Sequence, residues 1–133
     1  MSENFNEFLP NPEEQEHSKL NPEIVLKRLR ETVNTKYHER IIAIVTSSSK
    51  ILGENEEVLS YAFHLQFTRH DNYTYPLLVA ECENRDGSYP LKVQSHYGPP
   101  IDHGTIRSEE DFEKAIKEIL KETRTRNVIL SMY

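Results

Sequence analysis

Between Leu59 and Phe67 every second residue is bulky and apolar: Leu59, Tyr61, Phe63, Leu65 and Phe67. The residues between them, Ser60, Ala62, His64 and Gln66, are small or polar. A two-residue period sends alternate side chains to opposite faces of an extended chain. The stretch from Val58 to Phe67 is therefore a strand with one buried and one wet face, and it needs a sheet around it. Two later runs echo each other, Tyr75-Pro76-Leu77-Leu78-Val79 and Tyr89-Pro90-Leu91-Lys92-Val93. The Asp86-Gly87 pair between them is a hairpin signal. Residues 57–97 thus read as an antiparallel meander, with Arg69-His70-Asp71-Asn72 as its first turn.

Flanking signals supply helices. Asn21-Pro22-Glu23 is a helix start, with a capping side chain, a proline suited to the first turn and an acid complementing the dipole. Leu20 and Val25 are placed to staple it. The stripe that follows is Val25, Leu29, Val33 and Tyr37, with Leu26 beside it. Lys27, Arg28, Arg30, Lys36 and Arg40 make this the most basic segment of the chain. Its plainest role is a solvated face, and its functional role would be contact with an anionic surface. Ile41-Ile42-Ala43-Ile44-Val45 is a continuous apolar run and reads as a strand buried on both faces. Ser47 to Glu56 reads as a polar loop. Ser108 caps a second helix, in which Phe112, Ala115, Ile116, Ile119 and Leu120 form one stripe. Residues 127–133 fit a short helix slightly better than a strand. The expected fold is α+β: an antiparallel sheet of about four strands, in the order helix–strand–strand–strand–strand–helix, with helices packed on one face.

Residues 1–19 carry five glutamates against one lysine, and Pro10 and Pro12 break any helix there. They read as an acidic, mobile arm attached to a single domain at 20–133. Phe5, Phe8 and Leu9 are its apolar exceptions. They suit docking on the domain's own surface or on a partner. Neither a signal peptide nor an apolar run of membrane-spanning length is present. Cys82 is the only cysteine in 133 residues, which fits a reducing compartment and a cytoplasmic protein. It shares strand parity with Leu78 and Ala80 and reads as a buried, inert thiol.

The net charge of -6 argues against a nucleic-acid partner and suits a basic protein partner, although local patches can override it. A double-stranded RNA-binding module wants a basic start to its second helix, where this chain has Glu109-Glu110-Asp111. A metal-dependent nuclease core wants a lysine two residues after a carboxylate, where Glu81-Cys82-Glu83 has an acid. Four glycines, none clustered, leave no phosphate loop.

Two sets of residues remain as candidates. Tyr73, Tyr75, Tyr89 and Tyr97 would form a partner-binding aromatic rim if 75 and 89 pair across the hairpin. His96, Asp102 and His103, with His70 and Asp71, would be the metal or ligand site, drawn from the 69–72 turn and the 95–107 loop. Their spacing matches no zinc pattern, so neither a metal nor a cofactor is expected. The sequence therefore favours a small non-enzymatic protein-interaction domain of inhibitor, immunity or adaptor type, with self-association as a further option. The alternative is a small ligand-binding domain or enzyme built on those histidines and aspartates.

Overall fold

The side chain of Asn21 accepts from the Glu23 amide at 3.0 Å, opening helix α1 (Glu23–Tyr37) as its sequence requires. Ile24, Val25, Leu26 and Val33 are its buried residues. The computed structural model describes residue 9 and residues 21–51, 57–84, 87–95 and 101–133; the Leu20 staple lies outside them. After α1 come β1 (Ile41–Ile51), β2 (Glu57–Phe67), β3 (Tyr73–Cys82), β4 (Leu91–Ser95) and β5 (Ile101–Ile106). Helices α2 (Glu109–Lys121) and α3 (Thr123–Met132) end the chain. The five strands form one antiparallel sheet in sequential order, so the class is α+β.

The core lies between the helices and one sheet face. Tyr61, Phe63, Leu65 and Phe67 from β2 join Leu26, Phe112 and Ile119 in a single cluster. Ser108 accepts from the Asp111 amide at 3.2 Å and fixes the start of α2. Its stripe of Phe112, Ala115, Ile116 and Ile119 is buried. The C-terminal residues are helical, with Thr125 buried and Val128, Ile129 and Met132 packed against the core.

Three sequence expectations change. First, β1 is an edge strand of 11 residues, not one buried on both faces. Ile41 and Ala43 face the core, but Ile42 on the other face is exposed. Second, Ser47 to Ile51 continue β1 instead of forming a loop, paired residue for residue with Glu57 to Tyr61. Backbone pairing with β2 overrides the weak strand propensity of three serines. Third, the stretch after Pro100 is the edge strand β5. Gly98, Pro99 and Pro100 lie before it, and Gly104 has φ +81° beside a register shift against β4. Glycine at an edge bulge is compatible with a strand.

A second bulge decides which β3 residues are buried. Phe63 pairs with Leu78, but His64 pairs with Pro76, which leaves Leu77 without an opposite residue. The extra residue reverses the parity of the strand. Tyr75 and Leu77 before it, and Leu78, Ala80 and Cys82 after it, all reach the core. Pro76 has no N–H to donate, and a bulge is where a central strand tolerates that. The Cys82 thiol is buried, as its parity with Leu78 and Ala80 requires.

Gly87 shows how tightly the β3–β4 turn is held. Its φ is +77°, and a Cβ there would stand 2.6 Å from Leu59 Cδ2 and 3.0 Å from Tyr61 Oη. Gly87→Ala would force both a disfavoured backbone and a displaced Leu59. The expected loss is about 1–3 kcal/mol, read from urea unfolding.

Tyr61 carries an alkaline prediction. Burial, followed by the nearby Cys82 and Glu23, pushes its phenol up from 10.0 to about 12. The unfolded phenol ionises first, so the contribution is fully present below pH 10 and is lost as pH rises through 12. Unfolding midpoints should therefore fall between pH 10 and 12, and Tyr61→Phe should flatten part of that fall. An unchanged slope in the variant would remove Tyr61 from the account.

Candidate interaction cleft

Among the described residues, Tyr73, Tyr75 and Tyr89 do not share one exposed rim. Tyr73 is exposed and stacks on Phe67, with ring centroids 6.4 Å apart. Tyr75 is 1% exposed, and its hydroxyl lies 3.3 Å from Thr125 Oγ1 on α3. Tyr89 is also buried, edge-on to Phe112 at 6.3 Å. Its phenol is pushed up from its ordinary value by burial and by Glu109 and Glu113. Tyr97 lies outside the described residues. Tyr75 and Tyr89 do not pair. The hairpin sets Cys82 against Leu91 and Leu78 against Ser95, so Tyr89 lies beyond one end of the ladder and Tyr75 beyond the other. Two similar runs in an antiparallel hairpin meet head to tail, and equal positions in the repeat move apart.

The described histidines and aspartates of the candidate set, His70, Asp71, Asp102 and His103, are likewise dispersed. His96 lies outside the described residues. Asp102 and His103 are neighbours on β5, so their side chains leave opposite faces. Asp102 accepts from the Gly104 amide at 2.8 Å. His103 turns to the helices, with Nε2 3.2 Å from Glu122 Oε1 and Nδ1 3.9 Å from Glu118 Oε2. Arg124 continues the chain of contacts, 3.2 Å from Glu122 and 2.7 Å from the buried Ser95 hydroxyl. This network ties the β4–β5 edge to the α2–α3 junction. His70 and Asp71 sit in the β2–β3 turn, where the φ of +54° at Asp71 suits aspartate. That turn follows the Phe67↔Tyr73 pair, far along the ladder from Leu78↔Ser95. Among the described residues no group of three or more His, Cys, Asp or Glu converges as a metal site.

An apolar cleft lies among the helices. Helix α1 supplies one wall with Leu29, Val33 and Tyr37. Leu120 from α2 and Ile129 and Leu130 from α3 supply the other, and Leu65 of β2 is the floor. The cleft is open to solvent and has a volume of about 410 Å³. Both ends are tied. Near the start of α1, Arg28 bonds Glu109 and lies 3.8 Å from Glu113 of α2. Beyond its other end, the Tyr37 and Tyr133 rings meet edge-on at 5.6 Å, and Arg40 stacks over Tyr133 at 4.9 Å. These contacts join α1 to α2 near one end of the cleft and to the C-terminal Tyr133 near the other.

The charge of the cleft opposes that of the chain. Thr32, Lys36 and Arg126 are its exposed polar lining, and no carboxylate is among its described lining residues. Leu130 at its mouth is 73% exposed. An apolar floor under two cations would accept apolar groups carried on an acidic scaffold.

Leu29, Val33, Tyr37, Leu65 and Leu120 were visible in the sequence as parts of apolar stripes, whereas Ile129 and Leu130 fall in the ambiguous C-terminal run. What the stripes do not reveal is that Leu29, Leu120 and Ile129, from three different helices, line one cleft. Among the described residues no helix is long and apolar enough to cross a membrane. Comparison with protein-family models, with curated proteins and with solved structures finds no match.

Proposed function

We propose that this chain is a small protein-interaction domain of inhibitor, immunity or adaptor type, acting by binding rather than by catalysis, and that the helix-lined cleft is its contact site. The observation that carries the reading is an apolar cleft of about 410 Å³ lined, among the described residues, by Lys36 and Arg126 and by no carboxylate. The partner it suits is a protein segment that presents apolar side chains between acidic ones. Anchors of this kind dominate binding when they fill a desolvated pocket. Rim charges then steer the encounter and select the partner's sign. The basic character of α1 noted in the sequence becomes useful here, because that helix builds one wall. A cytoplasmic setting goes with this reading, since a lone thiol stays reduced there.

The test is affinity capture from the native host's lysate, using the wild-type chain and Leu130→Asp. Leu130 is exposed, so the substitution adds a charge without emptying the core. One stoichiometric partner, lost with Leu130→Asp, supports the reading. The same partner retained by the variant moves the contact elsewhere. Stabilisation by a small carboxylate amphiphile with no protein partner would turn the cleft into a ligand pocket, which its size also suits.

A further inference from the structure

We infer that the cleft has an occupant within the chain: the acidic N-terminal arm, residues 1–19, which seats Phe5, Phe8 and Leu9 and competes with the partner. This inference rests on the reading of the cleft as the contact site. Three observations lead to it. The first is charge. The arm carries five glutamates against one lysine, while Lys36 and Arg126 face it from a cleft without lining carboxylates among the described residues. The second is pattern. The arm's three bulky apolar residues lie within five positions, next to Glu3 and Glu7, so apolar anchors and acids arrive together.

The third is reach. The arm joins the domain at Asn21, the first turn of the helix that forms one wall of the cleft. From Leu9 to Asn21 the chain can span about 40 Å when extended. Val33 lies only about 18 Å along α1 from Asn21. The tether is therefore long enough to fold back, and short enough to hold the arm at high effective concentration. A tethered segment that fills a binding site lowers the fraction of chains competent for a partner, and partner affinity falls by that fraction.

The experiment uses the full chain in a Cys82→Ala background, with a nitroxide attached at Asn6→Cys, and reads paramagnetic broadening of backbone amides. The expected result is selective broadening at Leu29, Val33, Ile129 and Leu130, with little at Lys92 or Gln94 on the far sheet face. Lys36→Glu with Arg126→Glu should abolish it, as should Phe5→Ser with Phe8→Ser and Leu9→Ser, which leaves the folded domain untouched. Uniform broadening, or broadening elsewhere, would overturn the inference. Broadening that arises only between labelled and unlabelled chains, and fades on dilution, would assign the cleft to a second copy and overturn it equally. Capture separates the inference from the reading beneath it. If the arm competes, the triple serine variant binds the partner about tenfold more tightly. Unchanged capture by that variant, with loss in Leu130→Asp, would leave the cleft as the site and remove the arm. Unchanged capture by Leu130→Asp would remove the cleft as the partner site, whatever the broadening shows.

Discussion

Tyr75→Ala is expected to destabilise the protein by about 3–5 kcal/mol, the range for truncating a large buried aromatic. Tyr75 is 1% exposed, in a central strand, beneath α3. The substitution removes its ring from the core cluster and its hydroxyl from Thr125 Oγ1, itself buried. Tyr75→Phe separates the two effects and should cost only about 1 kcal/mol, the ordinary worth of one such bond. Urea unfolding monitored by circular dichroism reads both. A Tyr75→Ala midpoint close to wild type would mean that the side chain is a surface group, and the β3 bulge described above would be wrong.

Phe112→Ala should be comparably severe, about 3–5 kcal/mol. Phe112 is fully buried at the start of α2, and its ring packs edge-on against Tyr89. Losing it opens a cavity beside the Tyr89 ring. Leu130→Ala is the informative contrast. Leu130 belongs to the same helical layer, yet it is exposed at the mouth of the cleft, and its truncation should stay within about 0.5 kcal/mol. A large loss at Leu130 would mean that α3 packs differently and that the cleft is closed.

The two contrasts also show what a reader of the sequence can and cannot recover. The helix starts were legible, because Asn21 and Ser108 act within three residues of their own position. The β2 strand was legible too, because its alternation is clean from Leu59 to Phe67. The run Ile41–Val45 was misleading about its surroundings. An apolar run says that a strand is buried somewhere, but not how many layers cover it, and here helices cover only one face. Ser47 to Ser49 have no strand signal of their own; they are strand because β2 offers hydrogen bonds to them. The partner of β5 is β4, and the glycine and prolines in the sequence between them hide it. The tyrosine rim failed on the sense of pairing. Repeated runs suggest alignment, but antiparallel strands invert one of them, and a bulge then sends Tyr75 inward. The cleft was the least legible feature, since its walls come from Leu29, Leu65, Leu120 and Ile129. Distances between stripes of different helices depend on packing, which no local period encodes.

The whole chain is acidic, and that global sign points to a basic partner. The cleft reverses it locally, because the helix stripes leave Lys36 and Arg126 at its mouth, while Glu109 and Glu113 are engaged with Arg28. Interaction at contact range follows the local sign. The long-range field follows the global one and weakens with salt.

The measurement closest to the central claim is site-specific photo-crosslinking in the native host's lysate. A benzophenone side chain is placed at Leu130, at the mouth of the cleft, and, in a separate protein, at Gln94 on the opposite sheet face. The account predicts a discrete protein adduct from position 130, reduced by Lys36→Glu with Arg126→Glu, and none from position 94. An adduct from position 94 alone would place the contact on the sheet and contradict the account.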